Sequence, residues 1–253
     1  MIAGARRAAR LGAFAALTPS MLAAYALDDR VRGAGRERAL RNAWFGAWCG
    51  AMLRVFGIDV VVVGRPPTRE SARGRLVVSN HRGVADVLVL LHAFGGCMVS
   101  RADIARWPVI GLAGKKLGTV FVDRADIRSG ASTIRAMREL LRSGETVSIF
   151  PEGTTFAGDE VRPFHAGGLV AAQGTDADVV PVGLAYERGS QAAFLDETFP
   201  EHLAKMAAAP PSRVFMCVGE PLVVPAGARS KEVAELARAA VAAEVARARA
   251  AAG

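Results

Sequence analysis

A histidine and an aspartate five positions apart, His81 and Asp86, are the side chains of this 253-residue sequence best suited to general base chemistry. On one straight helix, residues at this spacing lie roughly 140° apart and cannot touch. They meet only if His81 precedes a helix and Asp86 lies in its first turn, with the chain bent at Gly83. Asp86 would then hold one imidazole nitrogen and leave the other as a base. An aspartate that merely caps its helix fits the same spacing.

A turn that follows another apolar segment is the second candidate for chemistry. The run Val147–Phe150 predicts a strand, and the residues directly after it are Pro151, Glu152, Gly153, Thr154 and Thr155. Backbone amides and hydroxyls in such a turn suit an oxyanion or a phosphate. An ordinary turn would use the same residue types.

Two further blocks combine a short apolar run with distinctive residues. The segment 118–124 predicts a strand that brings Asp123 and Arg124 to its end. The segment 179–183 predicts a strand interrupted by Pro181, and a proline within a strand indicates an edge position or a bulge.

Alternating strands and helices must position these blocks. Helical spacing or apolar character predicts helices over 86–92, 127–142 and 230–250. Short apolar, often β-branched runs predict strands over 58–64, 76–79, 97–100, 119–122, 146–150, 179–185 and 213–218. This alternation favours an α/β fold with a mixed, largely parallel sheet flanked by helices.

The N-terminal region is apolar and basic. A charge-free run, Leu11–Leu27, follows three arginines and contains Pro19. Three interpretations fit it: a secretory signal cleaved after Ala26, a marginal transmembrane helix, or a helix lying in the membrane interface. A second apolar stretch, Asn42–Leu53, contains two tryptophans and follows an arginine-rich link. We favour a retained, membrane-associating helical hairpin, because aromatic rings beside arginines suit the headgroup level.

Composition narrows the classes of partner. The net charge is +8 and the mean hydropathy +0.25, so the chain is attracted to polyanions and some of its surface is expected to meet lipid. The aromatic residues beside arginines lie in the N-terminal hairpin and no recognition motif occurs, which disfavours nucleic acid. Cys49, Cys97 and Cys217 have neither disulfide nor zinc-ligand spacing, and we expect them to be buried in a reducing compartment.

In their order and spacing, the four blocks resemble the phospholipid/glycerol acyltransferases, the lysophosphatidic acid acyltransferase superfamily. The resemblance covers roughly residues 75–186. It implies that His81 is the general base for an acceptor hydroxyl and that Asp86 orients it. It also implies substrate-binding roles, which fall on Arg101, Arg124, Glu152, Gly153, Thr154, Thr155 and Pro181. Such acyl transfer needs a base and oxyanion stabilisation but no enzyme nucleophile, and the sequence has no G-x-S-x-G elbow.

The resemblance also implies substrates and a location. The expected partners are a lysolipid acceptor, acyl-CoA or acyl carrier protein as donor, and an anionic membrane surface. No metal or organic cofactor is expected, and the site would face the cytoplasmic side of the cell membrane. The expected division of the chain is a membrane-associated segment 1–57, an acyltransferase domain 58–225 and a C-terminal helix 226–253. A catalytically silent lipid-binding protein on the same fold is the alternative class.

One departure from the family bears on the acceptor. Many phosphatidate-forming members have arginine where this sequence has Thr155, and threonine has no charged fork for phosphate. Either Arg101, Arg124 and Arg162 take that role, or the acceptor is not a simple lysophosphatidate. The segment 161–165 resembles a branch that includes lyso-ornithine-lipid acyltransferases. The favoured acceptor is 1-acyl-glycerol-3-phosphate, and the alternatives are a lyso-ornithine lipid or another lysolipid.

Overall fold

β-branched residues and leucines that alternate between two helical layers build the central sheet. The structure is a computed structural model that describes residues 2–32, 34–69, 71, 73–107, 110–123, 126–224 and 227–253. In these residues the strands are β1 (Ile58–Val63), β2 (Arg75–Ser79), β3 (Cys97–Arg101), β4 (Val120–Val122), β5 (Thr146–Ile149), β6 (Asp178–Tyr186) and β7 (Ser212–Val218). The helices are α1 (Ile2–Arg32), α2 (Glu37–Phe56), α3 (Val84–Phe94), α4 (Ile110–Leu117), α5 (Ile127–Arg142), α6 (Gly167–Val170), α7 (Phe199–Ala208) and α8 (Ser230–Ala252).

The described strands form one sheet in the order β1-β7-β6-β2-β5-β3-β4. Neighbouring strands are parallel except β6 and β7, which are antiparallel. The prediction of a mixed, largely parallel sheet flanked by helices is confirmed, as are all seven predicted strands and the three predicted helices. The sequence did not indicate α4, α6, α7 or the 3₁₀ turn Ala102–Arg106.

The two faces of the sheet are covered by different helices. Residues of α1, α2, α3 and α7 pack with Val77, Val182 and Leu184 in one apolar cluster. Residues of α5, α6 and α8 pack with Leu76 and Val78 in the other. Strand β2 is buried on both faces, and its three central residues, Leu76, Val77 and Val78, are apolar, as expected for an interior parallel strand. The three cysteines are buried and unpaired.

Pro181 does not mark a sheet edge, and that expectation is wrong. Strand β6 lies between β7 and β2 in the interior of the sheet. The antiparallel register pairs Val182 with Val218, the last residue of β7, so Pro181 lies one position beyond the end of that partner. Its carbonyl still accepts a hydrogen bond from Gly219 N at 2.9 Å. The proline is tolerated because it lies opposite Gly219, the first residue after β7, so its missing N–H removes a bond only at the end of the ladder.

The N-terminal helices form a hairpin that packs on the domain. Trp44 Nε1 donates to Asp28 at 2.7 Å, and Trp48 Nε1 donates to Thr18 at 3.2 Å, so both indoles bind α1. Arg38 and Arg41 of α2 bind the buried carboxylate of Glu145, which ties the hairpin to the start of β5. Among the described helices, α1 is the one long and apolar enough to cross a membrane, by length and composition.

The N-terminal end of α1 is bound to α7. Arg6 donates from Nε and Nη2 to the Ala208 carbonyl at 3.0 and 2.6 Å. Arg10 donates to the Ala209 carbonyl at 2.7 Å. These guanidinium groups therefore satisfy carbonyls at the C-terminal end of α7, where the helix dipole favours cations. Two arginines of the basic N-terminal segment are engaged within the protein.

Candidate functional site

The carboxyl end of β2 carries the candidate base. The strand ends at Ser79, His81 lies in the following loop, and Asp86 occupies the first turn of α3. His81 Nδ1 lies 2.8 Å from Asp86 Oδ2, so the strand-end histidine meets the helix-start aspartate as the spacing predicts. The loop brings these two side chains together across five residues, which a continuous helix would not do.

Asp86 is fully buried and surrounded by donors. Its Oδ2 atom accepts hydrogen bonds from His81 Nδ1, from Arg82 N at 2.5 Å and from Gly83 N at 2.8 Å. Its Oδ1 atom accepts one from the Tyr186 hydroxyl at 2.5 Å. The same carboxylate thus caps α3 and orients the imidazole, so the two interpretations of Asp86 are both realised.

The donors keep Asp86 ionised. Burial alone raises the pKa of Asp86, but the hydrogen bonds and charge of His81, with the donors Tyr186 and Gly83, outweigh it and hold the pKa below its usual value. Because the native pKa is below the unfolded one, ionised Asp86 stabilises the fold at neutral pH. That contribution is lost as the pH falls through and below about 4, the unfolded range.

Gly83 is required for a reason other than the expected one, which was the bend of the chain between His81 and Asp86. Its φ of −174° and ψ of −176° describe extended backbone, which any residue adopts. A Cβ at this position would lie 1.9 Å from the Ala192 carbonyl oxygen. Glycine is therefore required here by the close approach of the 192–194 segment, while the bend itself does not need it.

The His81 ring is held on two sides and accessible on a third. It stacks on the Phe150 ring with 3.9 Å between centroids and 5° between planes. Its side chain is 19% exposed. Since Nδ1 faces a carboxylate, it carries the proton, and Nε2 holds the lone pair. No hydrogen-bond partner of Nε2 is found within the part of the chain that the structure describes.

Glu152 connects the two loops that form the site. Its carboxylate accepts a hydrogen bond from His81 N at 2.6 Å and from Arg162 N at 2.9 Å. It also forms a fully buried ion pair with Arg82, with 3.1 Å between Nη1 and Oε2. The Arg82 guanidinium donates further to the His81 and Glu160 carbonyls, both at 2.8 Å. The carboxylate thus fixes the His81 backbone, and its oxygens are occupied by groups of the protein.

The rest of the Glu152 turn is divided between internal and exposed groups. Gly153 has a φ of +83°, a region that favours glycine, and its N–H donates to the Phe150 carbonyl at 3.1 Å. Thr155 Oγ1 donates to the Phe194 carbonyl, while the Thr154 side chain is exposed. Thr154 is therefore the threonine of this turn whose side chain faces solvent.

The remaining predicted site residues lie apart from the imidazole. Arg101 is at the carboxyl end of β3, and its exposed guanidinium forms a bidentate pair with Asp103 at 3.0 and 2.9 Å. Pro181 is buried, one residue from Val180 and Val182, which pack on the α3 face, so its side chain points to the α8 face of the sheet. Arg124 lies outside the described residues. Binding of substrate by these residues stays a prediction.

Arg162 is closer to the base. Its backbone binds Glu152, and its guanidinium lies 5.1 Å from the centroid of the Phe156 ring. Phe156 in turn donates its N–H to the His81 carbonyl at 3.2 Å. The half-exposed guanidinium of Arg162, which also pairs with Glu160 at 3.3 Å, is thus a cation of the loop that contacts the His81 backbone.

Sequence reasoning missed Arg82, Tyr186 and His202 as parts of this region. Arg82 lies between His81 and Asp86, and Tyr186 is the last residue of the region that the resemblance covers, so both lay within or beside segments already singled out. The polar segment around His202 indicates a solvated side chain, but this is wrong, because His202 is fully buried on α7. Its Nδ1 lies 2.8 Å from Glu197 Oε1. Burial lowers its pKa, so it is neutral at pH 7.

Comparison with known proteins adds the context. The Acyltransferase family profile matches residues 59–185. The chain is 31% identical to a lyso-ornithine lipid O-acyltransferase of Pseudomonas aeruginosa, over 85% of this chain and 83% of that protein. It is 31% identical to a 1-acyl-sn-glycerol-3-phosphate acyltransferase of Neisseria gonorrhoeae, over 62% and 65% of the two chains. Its fold matches that of the 1-acyl-sn-glycerophosphate (LPA) acyltransferase of Thermotoga maritima, with a TM-score of 0.73, 21% identity and 97% and 95% coverage.

Proposed function

Because this chain belongs to the acyltransferase family, we propose that it moves a fatty acyl chain from a thioester donor to the free hydroxyl of a lysolipid. The observation that carries the proposal is the His81–Asp86 pair. A buried, ionised carboxylate holds Nδ1 of an imidazole that is 19% exposed, and Nε2 has no hydrogen-bond partner among the described residues. That is the arrangement required of a general base for a hydroxyl.

The proposed reaction needs no enzyme nucleophile. His81 Nε2 accepts the proton of the acceptor hydroxyl as its oxygen attacks the thioester carbonyl carbon. The tetrahedral oxyanion collapses, the C–S bond breaks, and the imidazolium returns its proton to the departing thiolate. The products are an ester and a free thiol, so atoms and charge balance without a metal or an organic cofactor. Asp86 stabilises the imidazolium while it exists.

We place lysophosphatidate, 1-acyl-glycerol-3-phosphate, first among acceptors. The Neisseria and Thermotoga relatives are named for this substrate. Arg162, which lies beside the His81 loop, and Arg101 are the cations that we assign to the phosphate, together with Arg124. Glu152 and Gly153 shape the loop, and Thr154 presents a hydroxyl. Pro181 is proposed to act only by shaping the sheet beneath the site.

A lyso-ornithine lipid is the second acceptor, and two observations favour it. The Pseudomonas relative is named for that acceptor and matches over most of both chains. The turn that carries arginine in many phosphatidate-forming relatives carries Thr155, whose hydroxyl is already bound to the Phe194 carbonyl. An acceptor whose headgroup has an amine and a carboxylate has less need of a cluster of cations.

We also propose that the hairpin holds the enzyme in the membrane interface on the cytoplasmic side. The support is the exposed apolar side chains of α1, which include Ile2, Leu17, Leu27 and Val31. Because α1 binds α7 through Arg6 near its start and α2 through Asp28 near its end, a helix lying in the interface fits better than a spanning one. The net charge of +8 suits anionic lipid, acyl-CoA and acyl carrier protein alike.

The test is an acylation assay on purified protein with anionic vesicles. Lysophosphatidate, lyso-ornithine lipid and other lysophospholipids are offered with acyl-CoA and with acyl carrier protein as donors. We expect one acceptor to be acylated and His81→Ala to reduce kcat by at least about a thousandfold, as for loss of an essential base. Acylation of no acceptor would leave a silent lipid-binding protein. Full activity of His81→Ala would refute the assignment of the base.

A further inference from the structure

The end of β6 carries a tyrosine that touches the pair described above. The Tyr186 hydroxyl donates to Asp86 Oδ1 at 2.5 Å, from a position 100 residues further along the chain. Asp86 Oδ2 is occupied by His81 and two backbone amides, so the tyrosine binds the other oxygen. Both side chains are buried.

Two hydrogen bonds between the Asn80 side chain and the backbone of Leu184 fix the segment of β6 that carries this tyrosine. Asn80, the residue before His81, accepts from Leu184 N at 2.8 Å and donates to the Leu184 carbonyl at 2.9 Å. These two hydrogen bonds continue the β2–β6 ladder beyond Ser79 and tie the end of β6 to the loop that carries the base. Tyr186 follows two positions later on the same face as Leu184, which is the face that packs on α3.

We propose that Tyr186 is a positioning residue of the acyl-transfer site, which sets the orientation and the basicity of the His81–Asp86 pair through its hydrogen bond to Asp86. The inference rests on the proposed function and extends it to a third side chain. A buried carboxylate oxygen without a donor is costly, so the hydroxyl fixes the rotation of the carboxylate and, with it, the plane of the imidazole. The bond also withdraws charge from the carboxylate.

The direction of the effect on the base follows from that charge. Without the hydroxyl, Asp86 becomes more basic and holds the Nδ1 proton more strongly, so the imidazolium form of His81 is favoured. The other charged or titratable groups beside the pair are Arg82 from the same loop, Glu152 and Arg162 from the loop after β5, and His202 from α7. Burial lowers the pKa of His202, which favours its neutral form.

The first experiment removes the hydroxyl and keeps the ring. For Tyr186→Phe we expect kcat/KM at its plateau to fall about tenfold, as for loss of a hydrogen bond to a charged group. The acidic limb of the pH profile should move to higher pH by about half a unit. The proton resonance of the His81 Nδ1–H, assigned by its absence in His81→Ala, should shift as well. Tyr25→Phe is the matched control, because Tyr25 is the other tyrosine of the chain; it belongs to α1, and its ring packs on Phe45 of α2.

A second variant tests the same hydrogen bond and keeps the hydroxyl, so the test does not depend on whether Tyr186→Phe folds. In the Tyr25→Phe background Tyr186 is the sole tyrosine, and 3-fluorotyrosine can replace it without a change of shape. Its hydroxyl is a stronger acid and a stronger donor. Burial and the charge of Asp86 raise the pKa of Tyr186 well above the usual value, which keeps the fluorinated ring protonated. The acidic limb should now move to lower pH, opposite to the effect of phenylalanine.

The outcomes separate the two proposals. If the wild-type enzyme acylates its acceptor, the role of Tyr186 is overturned by one result. In that result the acidic limb of the pH profile and the His81 Nδ1–H resonance of both variants coincide with those of the wild type. A wild-type protein that acylates nothing would overturn the proposed function instead. The resonance of the His81 proton would still report whether Tyr186 acts on the pair, since that measurement needs no substrate.

Discussion

The carboxyl ends of β2 and β5 differ sharply from those of β3 and β4, although all four strands are parallel and end at the same edge of the sheet. At β2 and β5 the ionic groups are buried and bound to one another, as in the Arg82–Glu152 pair. At β3 the Arg101 side chain is 65% exposed and binds only Asp103 among the contacts of the described residues. Asp123, after β4, is exposed too.

The difference separates two tasks that the sequence pattern does not distinguish. Groups that must hold an imidazole in one orientation are satisfied by the protein itself, because loose orientation is costly for a proton transfer. A group that meets a charged headgroup has to keep donors available to the ligand. The first region is therefore expected to be sensitive in stability and turnover, and the second in substrate affinity alone.

The largest effect should follow Glu152→Gln. The variant leaves the buried Arg82 guanidinium without its counter-charge, which destabilises a protein by about 3–5 kcal/mol. It also weakens the acceptor of the His81 amide, so kcat should fall together with the melting temperature. Thermal unfolding and steady-state kinetics measure both. The control is Glu160→Gln, an exposed carboxylate in the same loop, which should change stability by no more than about 0.5 kcal/mol. Equal effects of the two variants would contradict the contrast.

Arg101→Ala should have the next largest effect and an opposite profile. We have proposed that Arg101 binds the acceptor headgroup, and on that proposal its loss should raise KM for the acceptor about tenfold, with kcat and melting temperature unchanged. Arg106→Ala is matched to it, because it removes the same charge from an exposed position five residues further on. A fall in melting temperature without a change in KM would show Arg101 to be structural and would break the comparison.

The smallest effect separates two adjacent threonines. Thr155→Val removes the hydrogen bond to the Phe194 carbonyl and should lower the free energy of unfolding by about 1 kcal/mol. Thr154→Val alters a side chain that faces solvent and should change it by less than about 0.5 kcal/mol. Chemical denaturation of the two variants in parallel measures the difference. The reverse order of stabilities would mean that the turn is built differently from the structure described above.

Local rules predicted the elements and the central pair well. β-branched runs identified the strands because burial on both faces excludes polar side chains. The spacing of His81 and Asp86 predicted a histidine after a strand and an aspartate at the start of a helix. Helix geometry keeps two residues at this spacing apart if they belong to one continuous helix. Those inferences needed only neighbours in sequence.

What was missed depends on contacts between distant parts of the chain. The segment that contains His202 is polar, yet it forms α7, which begins with a capping box of Thr198 and Glu201. The side of α7 that is buried is decided by packing on α1, which is distant in sequence. The register of β6 that brings Tyr186 to Asp86 is set by Asn80, and no local pattern encodes it. The prediction of an edge position from Pro181 was wrong, because the rule for prolines in strands takes no account of where the neighbouring strand ends.

The arginines at the start of α1 have one more consequence. A helix of 31 residues is about 46 Å long, and this one is bound near its beginning to α7 and near its end to α2. Such a helix cannot rotate independently of the rest of the protein. On our proposal that α1 lies in the membrane interface, the sheet therefore keeps one fixed angle to the bilayer. Lipids diffusing in the plane of the membrane would then always approach His81 from the same direction.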